Sequence, residues 1–146
     1  ANYYLTQREA ANFALPGELT PHQLYFDGPW LVGKENVTHG RVTGGFEDSI
    51  TMVYSARSVN AVLTSESDQA YRVRITMDGE YLTADNKGVG VTIGDNGESY
   101  ILVTEPRMYN VVENPEWVWR NTLTMSSNSD DFGLFAFTFG IYQKAT

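Results

Sequence analysis

YRVRITMDG (residues 71–79) alternates without a break: Tyr71, Val73, Ile75 and Met77 fall on one face, Arg72, Arg74 and Thr76 on the other. A period of two is the signature of an extended chain with one face buried, because successive side chains of a strand point to opposite sides. The Asp78-Gly79 pair that follows is a strong signal for a two-residue hairpin turn, whose central positions require positive φ. The strand at 71–77 is therefore expected to turn back into a partner near Glu80–Leu82.

The same pattern recurs on both sides of this hairpin. SITMVYSA (49–56) puts Ile50, Met52 and Tyr54 inward. SVNAVLTS (58–65) follows so closely that Arg57 is expected at a tight turn or bulge between two antiparallel neighbours. GPWLVGKENVT (28–38), GVGVTI (88–93), SYILVT (99–104), RMYNVV (107–112), WRNTLTM (119–125) and FGLFAFTFG (132–140) are further strand candidates. Turn-forming clusters such as GDNG (94–97) and SSNSDD (126–131) separate them. FGLFAFTFG is apolar on both faces, which reads as a central strand covered on both sides. Short strands with turn signals about every ten residues predict an all-β fold, an antiparallel β-sandwich of jelly-roll type. LTQREAANFA (5–14) departs from the pattern, with a Thr6-x-x-Glu9 capping box and a stop at Pro16-Gly17. A short helix and an irregular arm that plugs an open end of the sandwich both fit it.

The 146 residues suit one domain, 1–146, and at this size folding buries roughly 70% of the surface of the unfolded chain. A net charge of −8 argues against a nucleic-acid partner, since phosphate neutralisation needs clustered Lys and Arg. No apolar run approaches the roughly 20 residues that span a bilayer, and ANYYLTQREA lacks the basic start and apolar centre of a signal peptide, so no direct membrane insertion by this chain is expected. Cysteine is absent, which excludes disulfides, thiolate metal sites and thiol catalysis within the chain. His22 and His39 are not at the spacing of a zinc motif, so neither a metal nor another cofactor is expected. Asp130 with Asp131, or Asp85 with Asn86, could offer oxygens to calcium, but without regular ligand spacing they read as solvated turn residues. Hydrolysis of a glycoside would need two carboxylates about 5–10 Å apart, for which Glu105 and Glu113 are the candidates, and neither histidine lies in a motif with a nucleophile. The chain reads as a non-enzyme.

Two groups of residues are candidates for binding. In TEPRMYNVVENP (104–115) the alternation puts Glu105, Arg107 and Tyr109 on one face. Arg107 offers a planar fork of donors, Glu105 could hold it in place, and Tyr109 would add a stacking face with a polar tip. An internal Glu–Arg pair that fixes a strand start beside Pro106 is the plain alternative. The second group is aromatic: Trp30, Trp117 and Trp119, with Tyr25 and Tyr100. Sugar rings stack on such flat surfaces. Trp117 follows Asn114-Pro115-Glu116 and is expected at a loop or strand entry with its ring exposed, whereas Trp30 and Trp119 read as core. Arg72 and Arg74 read as a solvated outer row paired with acidic neighbours.

NYYLTQREAANFA near the start, YRVRITMDG followed by Asp85, then VTEPRMYNVVE and a closing FAFTFG resemble, in order and spacing, the C-terminal domain of DipZ-type thioredoxin-like proteins. The resemblance runs across nearly the whole chain. It implies a jelly-roll fold similar to that of carbohydrate-binding modules, placed after a redoxin domain that holds the family's CxxC chemistry. This chain is then expected to be an accessory domain excised from a longer protein that works outside the cytoplasm, in the periplasm or at the cell surface. The resemblance supplies no site of its own, so the residues read above are the candidates for two partners: a carbohydrate held by Glu105, Arg107, Tyr109 and Trp117, or a redoxin domain or its substrate protein docked on the same residues with no sugar bound.

Overall fold

The computed structural model describes residues 11–13, 24–32, 36–65, 67 and 69–140, with the backbone alone at 11–13 and 119. Its regular elements are β1 (Ala11–Phe13), β2 (Leu24–Val32), β3 (Val37–His39), β4 (Ser49–Thr64), β5 (Tyr71–Met77), β6 (Glu80–Tyr81), β7 (Thr92–Ile93), β8 (Ser99–Val103), β9 (Arg107–Ser126) and β10 (Gly133–Gly140). Among the described residues there is no helix, and every strand pairing is antiparallel. The hairpin forms as its residues dictate. Met77 stands opposite Glu80, and the two turn residues, Asp78 (φ 54°) and Gly79 (φ 84°), occupy the left-handed region that this turn demands. Asp78 also ties the turn to β9, its amide donating to Thr122 O and its carboxylate accepting from Thr122 N, each at 2.8 Å.

Two pairs of stretches that alternation alone reads as separate strands are continuous. β4 contains both 49–56 and 58–64, and β9 contains both 107–112 and 119–125. Register shifts between Tyr54 and Ala56, Ala56 and Ser58, and Val59 and Asn60 explain how: extra residues bend the strand without ending it. Pro115 has no N–H to donate, and it sits where the ladder is interrupted, between Glu113 (opposite Ser58) and Val118 (opposite Ala56). The stretch 28–38 divides instead, into the end of β2 and β3.

The order along the sheet is β1-β2-β3-β10-β4-β9-β5-β8-β7, with β6 on β5 and a further β2–β4 pairing. The pairings β2–β3, β3–β10, β10–β4 and β4–β2 close a cycle, so this part of the sheet closes on itself, and the buried apolar residues form one core cluster. Among the described residues Phe26, Trp30, Tyr54, Tyr109 and Phe132 are its largest fully buried side chains. Rings of this size each contribute about 1.5–3 kcal/mol on burial. Trp30 meets Phe132 edge-on at 5.6 Å, and its indole N–H donates to Asp27 O at 2.9 Å. The expected burial of Trp30, and of Ile50, Met52 and Tyr54, is found.

β10 is not covered on both sides along its length. Leu134 is buried, but Phe135 is 52% exposed and Phe137 and Phe139 are half-buried. A bulge between Leu134 and Ala136 leaves Phe135 as the extra residue, and β3 flanks only Gly133 and Leu134. At the other end of the chain, Ala11–Phe13 form a strand rather than the end of a helix, paired with Trp30, Pro29 and Gly28. The edge of β2 gives these residues hydrogen-bond partners, which outweighs the weak helical tendency of so short a segment. The Thr6-x-x-Glu9 capping box and Pro16-Gly17 lie outside the described residues.

A buried charged cluster joins β3, the segment after it and the turn before β10. His39 and Asp48 are each 2% exposed, with His39 Nε2 2.6 Å from Asp48 Oδ2 and His39 Nδ1 2.9 Å from Ser129 O. Arg41 forks the same carboxylate, Nε to Oδ2 at 2.8 Å and Nη2 to Oδ1 at 2.7 Å. The Arg41 guanidinium, aided by His39, holds the Asp48 carboxyl below the usual carboxylate range despite burial. Gly28 packs against this cluster at φ +101°, where a methyl group would collide with the Asp48 side chain. Both the backbone angle and the close approach require glycine.

Candidate functional site

Tyr109 is the hinge of the predicted site, and it faces inward. Only 1% exposed, it donates from its hydroxyl to Glu105 O at 2.8 Å and accepts from Thr104 N at 3.3 Å. It thereby pins the turn that leads into β9 from below. The Arg107 guanidinium carbon lies 3.9 Å from the centre of the outer face of this ring, and Arg107 Nη1 donates to Met108 O at 3.0 Å. Glu105 and Arg107 are both exposed, and Arg107 is held by the ring and a carbonyl rather than by the Glu105 carboxylate. Glu105, Arg107 and Tyr109 are thus brought together around one turn, but Tyr109 stacks on Arg107 and offers no face to a ligand.

Further along β9 the outer side of the sheet carries a polar relay. Asn110 Oδ1 accepts from Val89 N at 2.8 Å, Asn110 Nδ2 donates to Asn60 Oδ1 at 2.9 Å, and Asn60 Nδ2 donates to Thr138 Oγ1 at 3.3 Å. These residues stand opposite one another on β9, β4 and β10. The segment 88–93, expected as a strand, does something else before β7 begins. Gly88 N and Gly90 N donate to Val111 O (2.8 Å) and Asn110 O (2.9 Å), which lays the segment against β9. Between it and β4 opens a cleft of about 470 Å³ lined by Arg57, Asp85, Asn110, Glu113 and Asn114. Arg57 Nε donates to Asn114 O at 3.2 Å, and Asn114 Nδ2 returns a bond to Arg57 O at 3.3 Å, so the bulge residue is anchored at the rim.

Trp117 follows this cleft on the same strand and is 39% exposed. Its neighbour Val118 packs against the core and stands opposite Ala56, so Trp117 takes the outer side. The rest of the aromatic group is engaged elsewhere. Trp30 and Tyr25 are buried and Tyr100 lies under Arg72, while the Trp119 side chain is outside the description. Two carboxylates, a guanidinium and two amides therefore share a cleft with Val89 and Pro115, and an exposed indole lies two residues beyond Pro115 on the same strand. Such a set can satisfy the hydroxyls of a polyol and stack on its apolar face.

Alternation in the sequence marks Asn60, Asn110 and Thr138 as outward, but nothing in it says that the three are neighbours. Arg57, Asp85 and Glu113 stand out in the sequence one by one, as a turn residue, a possible calcium donor and an acid, but nothing in it groups them around one cleft. The turn acids have local roles: Asp131 accepts a hydrogen bond from the Ser67 hydroxyl, and Asn86 Oδ1 caps Thr83 N at 2.8 Å. No group of three or more His, Asp or Glu among the described residues is arranged to hold a metal ion. Arg74 pairs with Glu98 at 3.3 Å, as the outer-row reading expects, while Arg72 stacks on Tyr100 instead.

A comparison with curated proteins finds no match to this chain. A family model described as the thioredoxin-like C-terminal domain matches residues 1–140. That span takes in the whole folded sheet and every residue of the cleft, so the chain belongs to the thioredoxin-like C-terminal domain family and is an accessory domain of a thioredoxin-like protein, with no cysteine of its own.

Proposed function

We propose that this domain is the non-catalytic binding module of an extracytoplasmic thioredoxin-like protein, and that it holds a carbohydrate in the cleft of Arg57, Asp85, Asn110 and Glu113 with Trp117 beside it. The observation that supports this reading is the group of polar side chains, Arg57, Asp85, Asn110, Glu113 and Asn114, set beside Val89 and Pro115 around that cleft, together with the exposed indole on the same strand. Carboxylates and amides side by side match the alternating donors and acceptors of a sugar, and an exposed ring supplies the stacking surface. A glycan array screened with and without calcium, followed by intrinsic Trp fluorescence, tests it. One sugar class should bind saturably and quench the emission, and Trp117→Ala should abolish the quench. A blank array would remove the carbohydrate reading.

A second reading rests on a different observation. Met108 is 50% exposed between the exposed Arg107 and the relay of Asn110, and it stands in register with Val62 and Ala136 across three strands. An apolar row beside a stacked guanidinium is suited to docking a protein, here the redoxin domain or its substrate, with Glu105 and Arg107 at the rim and no sugar involved. Arg107→Ala should then weaken association with a separately produced redoxin domain, measured by calorimetry. Unchanged association would remove this reading.

A further inference from the structure

Arg72 and Arg74 leave β5 on the same side, two residues apart, and meet different surroundings. Arg74 is occupied, with Nε 3.3 Å from Glu98 Oε2 and its guanidinium 4.2 Å from the centre of the Phe46 ring. Arg72 lies 4.3 Å over the Tyr100 ring and, among the described residues, pairs with no carboxylate. Stacking on a ring fixes the plane of a guanidinium while leaving its N–H edge to a planar acceptor, so little side-chain freedom remains to be lost on binding.

Arg72 lines an open cleft of about 590 Å³, separate from the one described above, between the loop at 42–46, the start of β5 and the turn at 128–131. Leu102 stands opposite Arg72 in the β5–β8 ladder and is 46% exposed, and Val42 across the cleft is 70% exposed. Phe46 completes the apolar wall. Asn128, Asp130 and Asp131 form the far rim, the Asp131 carboxylate accepting a hydrogen bond from the Ser67 hydroxyl. A preset cation thus lies between exposed apolar side chains, opposite a rim that carries negative charge.

We propose that this cleft binds an extended peptide segment of a partner protein, with one acidic side chain on Arg72 and apolar side chains against Val42, Phe46 and Leu102. A carboxylate is the planar acceptor that fits a guanidinium edge through two parallel hydrogen bonds. A peptide, rather than a small anion, accounts for the apolar groups on either side of it. Charges beyond about 8 Å are screened at physiological salt, so the selection is local, and Asp130 at the far rim disfavours a second acid in the ligand.

Three fluorescein-labelled peptides test this by anisotropy, with backbone NMR shifts to locate the contact: Gly-Leu-Glu-Leu-Gly, the same peptide with Gln for Glu, and Gly-Glu-Glu-Glu-Gly. The single-acid peptide should saturate below about 1 mM and bind about tenfold more tightly than the other two. Its shifts should centre on Val42, Arg72 and Leu102. Arg72→Gln, a change at an exposed site, should erase the difference between the Glu and Gln peptides. The proposal is overturned by absence of binding at 5 mM on the order of typical weak peptide contacts, by equal binding of the Gln peptide, by tightest binding of the tri-acidic one, or by competition from acetate at the concentration of the peptide. Shifts that map to Asn110 and Trp117 overturn it too, and would leave the carbohydrate cleft as the only one in use.

Discussion

His39 and Asp48 meet at 2.6 Å inside the fold, and the second imidazole nitrogen is 2.9 Å from Ser129 O. Both ring nitrogens thus lie within hydrogen-bond distance of an oxygen atom. Ser129 lies 90 residues away in the chain, so this one side chain links the end of β3 to the turn before β10. Arg41 completes the cluster from the surface side.

Asp48 should therefore make stability depend on pH on the acid side. Its folded-state pKa is lowered, chiefly by the Arg41 hydrogen bonds, so its contribution is fully present above the unfolded value of about 3.9 and is lost as pH falls below that toward the folded value. Urea midpoints measured from pH 7 to pH 3 should fall most steeply below about pH 4. Asp48→Asn should flatten part of that fall and cost about 1–3 kcal/mol at pH 7, because His39 and Arg41 lose an ionised partner. An unchanged acid limb in the variant would refute this account of the cluster.

Gly28→Ala should destabilise the domain by on the order of 2–3 kcal/mol, from a backbone angle alanine rarely adopts and from the collision with Asp48. Because the methyl group and the Asp48 side chain compete for one space, the effects of Gly28→Ala and Asp48→Ala should not add in a denaturation cycle. Strict additivity would mean that the two residues do not touch.

Tyr109→Phe keeps the ring under Arg107 and removes the hydroxyl bonds to Glu105 O and Thr104 N. A loss of about 1 kcal/mol is expected, with faster amide exchange confined to the turn at 104–107. If exchange there is unaltered, the hydroxyl does not hold the turn.

Asn110→Ala cuts the relay from Val89 N to Thr138 at its centre. Both the Val89 amide and the Asn60 oxygen lose partners, but Val89 is 88% exposed and water can replace one of them, so the cost should stay near 1 kcal/mol. Any ligand of the cleft should lose far more, which a titration of the variant against a sugar identified on the array would reveal.

Local chemistry alone determined the hairpin at 71–81: a period of two sorts Tyr71, Val73, Ile75 and Met77 to the core, and Asp-Gly is one of the few pairs that tolerates the positive φ of its turn. The inward set of β4 and the burial of Trp30 were legible for the same reason, as was the exposure of Trp117 beyond Pro115. The tertiary structure alone decided that 49–64 and 107–126 are each one bent strand, that Tyr109 faces in while Arg107 covers it, and that Arg57, Asp85, Asn110 and Glu113 surround one cleft. Alternation states which face a side chain takes; it does not state which strand lies next to it. Register and bulges arise from pairing between residues far apart in the chain, as between Asn60 and Asn110, and both candidate sites are built from such pairings.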